Sequence, residues 1–145
     1  MTKKELKLAG AISYKCEGKK LRRDERFRNT WSYRIEFCNS DPILIKIFLE
    51  FLRRIIKIEE DRLHPSVHMY DDLDRKRVMR FWSSLTEIPL DRFYRTKIYH
   101  AKNTKYKPNP LGTCRLQYHD KKAFMKLDKI IRENLGEEAA LIKQI

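Results

Sequence analysis

The sequence predicts one α+β domain, residues 1–145, in which helices cover one face of a mostly antiparallel sheet. Two strand-strand-helix units predict this fold, at residues 19–57 and 94–135, because in each the helix begins with polar capping residues directly after a strand. With the segments before and between them, the predicted order is αββα-βα-ββα. No Gly/Ser-rich linker divides the 145 residues.

Helical spacing, alternation and capping predict the elements of the first half. Residues 4–17 have helical spacing, and residues 19–28 are basic and extended. Apolar and polar residues alternate over 30–38, which is typical of a half-buried strand. The segment 39–42 then caps a helix whose apolar residues recur at helical spacing over 44–55.

The second half alternates strands and helices in the same way. The predicted elements are a strand at 63–70, a helix capped by 71–74, two extended segments at about 94–101 and 112–119, and a helix between Asp120 and Gly136. Pro89 ends the middle helix.

The chain has a strong positive charge. Its 33 Lys and Arg residues outnumber 20 Asp and Glu, which gives a net charge of +13. Two basic zones carry the excess, +8 over residues 1–57 and +9 over residues 92–129. Such a field favours a polyanion as partner, nucleic acid first and an anionic membrane surface second, and no apolar run spans a bilayer, so no membrane partner is expected. A solvated basic surface without a partner stays open.

Three cysteines, odd in number and far apart, argue against a disulfide framework and favour a reducing compartment, the cytoplasm. No Cys-x-x-Cys pair is present, so a structural zinc site is not expected. The four histidines are interpreted as polar residues of a sheet face.

Glu17 is the first candidate for chemistry. It ends the first predicted helix, where a carboxylate opposes the helix dipole, and a divalent cation near phosphates is one reason to keep it there. One face of that helix is rich in small residues that would let a second copy pack closely and bring two Glu17 side chains together: Ala9, Gly10, Ser13 and Cys16. An exposed Glu in a charged turn, and packing of the helix on its own sheet, remain the alternatives.

The segments 12–18 (Ile-Ser-Tyr-Lys-Cys-Glu-Gly) and 33–41 (Tyr-Arg-Ile-Glu-Phe-Cys-Asn-Ser-Asp) resemble LAGLIDADG homing endonucleases, which carry a small-residue helix ending in Asp or Glu before Gly. The resemblance implies a homing-endonuclease-like fold, a homodimer and Mg²⁺-dependent cleavage of double-stranded DNA. Glu17, with Gly18 beside it, would hold the metal, and Lys97 would act at the scissile phosphate. Ile12 and Lys15 occupy positions where the family has Gly and often Asp.

The polar strand face and the basic zones predict the DNA contacts. The predicted DNA-binding residues are Lys19, Lys20, Arg22, Arg23, Arg26, Arg28, Ser32, Arg34, Arg95, Lys97, Lys102, Lys105, Lys107, Arg115 and Gln117. We expect Arg34 either to read a guanine or to pair with a carboxylate such as Glu36 or Glu17. A non-catalytic DNA-binding protein, and an RNA-binding protein that stacks exposed Tyr and Trp on unpaired bases, stay open as alternative functions.

Overall fold

The computed structural model describes residues 1–23, 31–100 and 109–142. Within these ranges it contains four α-helices, α1 (Lys3–Glu17), α2 (Pro42–Phe51), α3 (Arg75–Thr86) and α4 (Lys121–Leu135). The strands are β1 (Arg22–Arg23), β2 (Trp31–Ser32), β3 (Arg34–Asn39), β4 (Leu63–Tyr70), β5 (Lys97–Tyr99) and β6 (Thr113–His119). None of the helices in these ranges has the length and apolarity needed to cross a bilayer.

The main sheet has four strands in the order β3-β6-β4-β5. β6 pairs antiparallel with both β3 and β4, and β5 pairs parallel with β4, so the sheet is mixed. β1 and β2 form a separate antiparallel pair. The chain after α1 also reaches the main sheet, because Gly18 bridges Phe37 and the Lys19 amide donates to the Glu36 carbonyl at 2.9 Å.

One hydrophobic cluster joins the helices to one face of the sheet. Buried side chains from all four helices meet the inward positions of β3, β4 and β6 in this cluster, which includes Phe37, Phe48, Val67, Trp82, Leu116 and Phe124. Alternate residues of the same strands therefore project to the opposite side, since successive strand residues point to opposite faces. The α+β class predicted from the sequence is confirmed, and two of the three strand pairings in the main sheet are antiparallel.

Capping residues set the helix ends. Thr2 and Glu5 form a reciprocal capping box at the start of α1, and the side chains of Asp41, Asp74 and Asp120 accept backbone hydrogen bonds at the starts of α2, α3 and α4. α2 continues as a π-helical turn, Leu52–Ile56, which ends at Lys57 in the left-handed region (φ 61°). The starts of α2, α3 and α4 follow strands β3, β4 and β6, so the chain turns there from a strand onto the helical layer.

Two predicted strands differ from the structure. The strand predicted over 30–38 is interrupted at Tyr33, whose carbonyl accepts from the Asp120 amide at 3.2 Å and whose ring packs edge-on against Phe124. This hydrogen bond continues the register of the β3–β6 pairing, in which Arg34 lies opposite His119, as far as the start of α4. Of the strand predicted at about 94–101, the described residues show the part Lys97–Tyr99, which is β5 and pairs with β4.

Candidate nucleic-acid interface

The side of the main sheet that the helices leave uncovered is polar and basic. We call it the open face; its positions on β3, β4 and β6 are Arg34, Glu36, Cys38, His64, Ser66, His68, Thr113, Arg115, Gln117 and His119. Cross-strand pairing arranges them in rows, such as Glu36–Gln117–His64 and Cys38–Arg115–Ser66. The open face thus presents cations, imidazoles and an amide on strands of fixed register.

Glu36 is the buried anion at the centre of these cations. Its side chain is 6% exposed and forms ion pairs with Arg115 and, at 3.0 Å, with Lys19. Arg34 lies farther away, with 3.9 Å between its Nη1 and Glu36 Oε2. Burial raises the pKa of Glu36, but the hydrogen bonds from Lys19 and Arg115 outweigh it and hold the pKa below its ordinary value. Glu36 therefore stays ionised and fixes two cations on the open face.

We expect Glu36→Gln to destabilise the fold in a pH-dependent way. Because the folded pKa is lower than the unfolded one, Glu36 contributes stability above its ordinary pKa of 4.5, and this is lost as the pH falls through the lowered value. At pH 7 the free energy of unfolding of the variant should be about 1.5 kcal/mol lower than that of wild type. This is the low end for a hydrogen bond to a charged group, because Lys19 and Arg115 are partly exposed.

Urea unfolding at pH 7 and at pH 3.5 measures this effect. The difference between wild type and Glu36→Gln should shrink at the lower pH. The control is Glu50→Gln, which removes an exposed carboxylate paired with Arg54 along one helix, and it should change the stability little. An equal loss at both pH values would contradict the role given to the Glu36 charge.

The open face has a positive field around His68. Burial and the cations Arg115 and Lys97 lower the pKa of this imidazole. Lys97 pairs with His68 across β5 and β4, and Arg115 lies on the neighbouring β6. An anion that approached this part of the face would meet the side chains of Lys97 and Arg115.

The turn after α1 separates two predicted DNA-binding lysines. Tyr14 holds this turn, since its buried hydroxyl donates to the Lys19 carbonyl at 2.5 Å. A Cβ on Gly18 would lie 2.3 Å from the Tyr14 ring, so close packing explains this glycine. Lys19 then points to the open face, whereas Lys20 lines a hollow on the other side with Trp31. Of these two predicted DNA-binding lysines, Lys19 therefore lies on the open face and Lys20 lies away from it.

Glu17 is exposed at the last position of α1 and near one edge of the open face. Together with burial and Glu36, its charge raises the pKa of the Cys38 thiol, which places Glu17 beside β3. Within the part of the chain that the structure describes, Glu17 forms no ion pair or side-chain hydrogen bond. Among the same residues no group of three or more His, Cys, Asp and Glu could hold a metal ion.

Lys97 lies far from Glu17. Gly18 is adjacent to β3, whereas Lys97 is on β5 at the opposite edge of the sheet. Four strand spacings of about 4.8 Å separate their backbones by roughly 19 Å. The structure therefore does not bring Lys97 to Glu17 within one protomer, and the role of Lys97 at the scissile phosphate stays a prediction. Lys97 and Arg95 instead line a hollow on the open face with Arg115.

The exposed side of α1 is a stripe of apolar and small residues. Leu8 and Ile12 are 43% and 46% exposed, and Cys16 follows one turn later. Ala9 and Ser13 lie half-buried beside them. We call these five residues the α1 stripe.

Gly10 lies on the opposite, buried side of α1. A Cβ there would meet the Phe51 ring at 2.3 Å, so Gly10 allows α1 to approach α2 within one protomer. This corrects the assignment of Gly10 to the surface that packs against a second copy. Leu6 and Tyr14 occupy the same buried side of the helix.

The remaining predicted contacts fall into two groups. Ser32 lies on the side of the open face, with its Oγ 3.4 Å from His119 Nε2, and Gln117 is on the face itself. Arg26, Arg28, Lys102, Lys105 and Lys107 lie outside the described residues, as do the side chains of Arg22 and Arg23.

Sequence reasoning missed Tyr94. The segment after α3 brings it onto the open face, where its ring stacks on His64 with centroids 4.7 Å apart. Tyr94 belongs to no strand of the main sheet, so alternation could not place it.

The interpretation of the histidines as sheet-face residues holds for His64, His68 and His119, which occupy outward positions of β4 and β6. His100 follows β5 and pairs with Asp71 instead.

Comparison with known proteins provides no relative from which a site could be transferred. No family model, no curated protein and no solved structure matches the chain. The interface is therefore defined by the placement of the residues themselves: a basic open face, a carboxylate at its edge and an exposed apolar stripe on the adjoining helix.

Proposed function

We propose that the protein binds double-stranded DNA through its open face as a homodimer and cleaves the phosphodiester backbone with Mg²⁺. The observation that supports this proposal most is the open face, on which Arg34, Arg115 and Lys97 occur among hydrogen-bonding side chains in a chain of net charge +13. Phosphates supply most of the affinity in protein–DNA complexes, and arginine and amide side chains supply the base contacts.

The dimensions of the sheet agree with this proposal. Strands β3, β6 and β4 are neighbours, so at about 4.8 Å per step they span roughly 10 Å. The major groove of B-DNA is about 12 Å wide and admits β-strands as well as helices. In such a complex Arg34 and Gln117 point away from the protein core, as base-reading side chains must.

The proposed cleavage site is at the end of α1. Glu17 fits a Mg²⁺ ligand because it is an exposed carboxylate without a partner among the described residues, and magnesium prefers oxygen ligands. Mg²⁺ held there would stabilise the charge that develops on the phosphate and lower the pKa of a bound water. Lys19, two residues after Glu17, would contact the same DNA strand from the open face.

The α1 stripe is the proposed dimer contact. Packing of two α1 helices about a twofold axis would cover Leu8 and Ile12 and bring the two Glu17 carboxylates to one region of the DNA. Half-buried Ala9 and Ser13 are small enough to let the two backbones approach. This arrangement is the one that the resemblance to LAGLIDADG homing endonucleases implies.

DNA binding should depend steeply on salt. About 6–10 phosphate contacts would lower the affinity by roughly 10³–10⁵-fold between 50 and 200 mM salt. Fluorescence anisotropy with a labelled random duplex measures this without knowledge of the target sequence. Detectable binding whose affinity stays constant over this range would contradict an interface built on phosphate contacts.

A non-catalytic DNA-binding protein on the same fold is the second candidate. It is favoured by Lys15, a cation in the last turn of α1, where the LAGLIDADG homing endonucleases that the sequence resembles often have Asp. The two functions differ in one assay, Mg²⁺-dependent nicking of a plasmid library that contains randomised inserts. Nicking by wild type supports the enzyme, and binding without nicking throughout the library supports the second candidate.

A further inference from the structure

Two basic hollows on the open face share a common wall. The first, of about 320 Å³, is lined by Arg34, Arg62, His64 and His119, with Asp61 as its one acidic residue. The second, of about 380 Å³, is lined by His68, Arg95, Lys97 and Arg115. Tyr94 and Gln117 line both hollows. An aromatic ring thus lies between two places that attract anions.

Tyr94 is held as a platform. Its amide donates to the Pro65 carbonyl at 2.8 Å, which attaches this segment to β4. The ring stacks nearly parallel on His64, with an interplanar angle of 16°, and His64 is oriented in turn because its Nδ1 donates to the Arg92 carbonyl at 3.0 Å. Tyr94 is still 51% exposed and lines both hollows, so a ligand in either hollow can reach it.

This combination matches the chemistry of one nucleotide. A nucleobase stacks on an aromatic face, and the phosphates on its two sides need cations. Gln117 adds an amide between the hollows; its Nε2 donates to Ser66 Oγ at 3.4 Å, which leaves its oxygen as an acceptor. A base that is paired within a duplex has both faces covered by its neighbours, so only an unpaired base can stack on Tyr94.

We infer that the open face binds one unpaired nucleotide of its DNA, with the base on Tyr94 and the two flanking phosphates in the two basic hollows. The identification of the ligand as DNA rests on the proposed function. The stacking site itself rests on Tyr94, His64 and the cations beside them. It makes the protein selective for duplexes with a bulged or extruded base over continuous duplexes.

The test compares two duplexes of the same sequence, one fully paired and one with a single bulged 2-aminopurine. Wild type should bind the bulged duplex about 5- to 150-fold more tightly, the range that one base–aromatic stack supplies, and should quench the 2-aminopurine fluorescence. Tyr94→Ala should remove both effects, so that it binds the two duplexes with equal affinity, whereas Tyr94→Phe should retain both.

Tyr99→Ala is the matched control, because Tyr99 is also an exposed tyrosine (42%) and lies outside both hollows. Equal affinity of wild type for the two duplexes, or an equal loss of preference in Tyr94→Ala and Tyr99→Ala, would overturn the inference while leaving duplex binding intact. If wild type binds neither duplex, the proposed function fails separately. A 2-aminopurine single strand then decides the inference, since quenching that depends on Tyr94 supports a nucleotide site and unquenched fluorescence overturns it.

Discussion

Replacement of Glu17 by glutamine is expected to abolish DNA cleavage while DNA binding is retained. The substitution keeps the size of the side chain and removes the charge that would hold Mg²⁺. Metal stabilisation of the reacting phosphate contributes several kcal/mol, so the cleavage rate should fall by about 10³-fold or more. The measurement is single-turnover nicking of a cleavable duplex at saturating protein, with anisotropy on the same duplex in Ca²⁺ to follow binding.

Glu133→Gln is the matched control for Glu17→Gln. Glu133 is an exposed carboxylate near the end of α4, as Glu17 is at the end of α1, but it lies on the helical layer. Its replacement should leave both cleavage and binding unchanged. Cleavage by Glu17→Gln at the wild-type rate would exclude Glu17 as the metal ligand, and an equal loss in both variants would indicate a general effect of charge.

Ile12→Arg is expected to convert the dimer into monomers and thereby to abolish cleavage. Ile12 is exposed in the protomer, so the substitution leaves the core untouched, but in a dimer through the α1 stripe it would bury two unpaired cations at the twofold axis. An unpaired buried charge costs about 3–5 kcal/mol, which corresponds to a rise of at least about 10²-fold in the dissociation constant. Sedimentation equilibrium measures this constant.

Met125→Arg controls for the introduction of a cation on an exposed helix position. Met125 is 43% exposed and lies on α4, away from the α1 stripe. Its replacement should leave the dissociation constant within about twofold of wild type. A wild-type protein that is monomeric at high micromolar concentration, or a Met125→Arg variant that dissociates as readily as Ile12→Arg, would contradict dimerisation through α1.

Local patterns in the sequence predicted much of the fold. The strand at 63–70 is confirmed because its apolar residues alternate without interruption, and α4 begins and ends at its predicted caps, Asp120 and Gly136. The outward direction of Arg34 likewise followed from alternation with Ile35 and Phe37, which are buried. In each case the pattern lies in residues that are neighbours in the sequence, so it predicts the element without knowledge of the distant segments that the element contacts.

The candidate site depended on contacts that no local pattern encodes. The order β3-β6-β4-β5 places Lys97 at the far edge from Glu17, and this order arises from pairing between distant segments. The small size of Gly10 predicted a place on the dimer surface. The structure instead explains this glycine by the close approach of the Phe51 ring, 41 positions later in the chain. The link between Glu36 and Arg115 and the placement of Tyr94 also depend on tertiary packing.

Reversal of charge on the open face tests the central claim most directly. The pair Arg95→Glu and Lys97→Glu changes two exposed cations of the open face, and the pair Lys122→Glu and Lys129→Glu makes the same change in net charge on exposed positions of α4. The measurement is affinity for a random duplex against salt concentration. We predict that the open-face pair weakens binding by at least about 10²-fold and lowers the salt slope by about two, while the α4 pair stays within about threefold of wild type. Equal losses in the two double variants would contradict a DNA-binding open face.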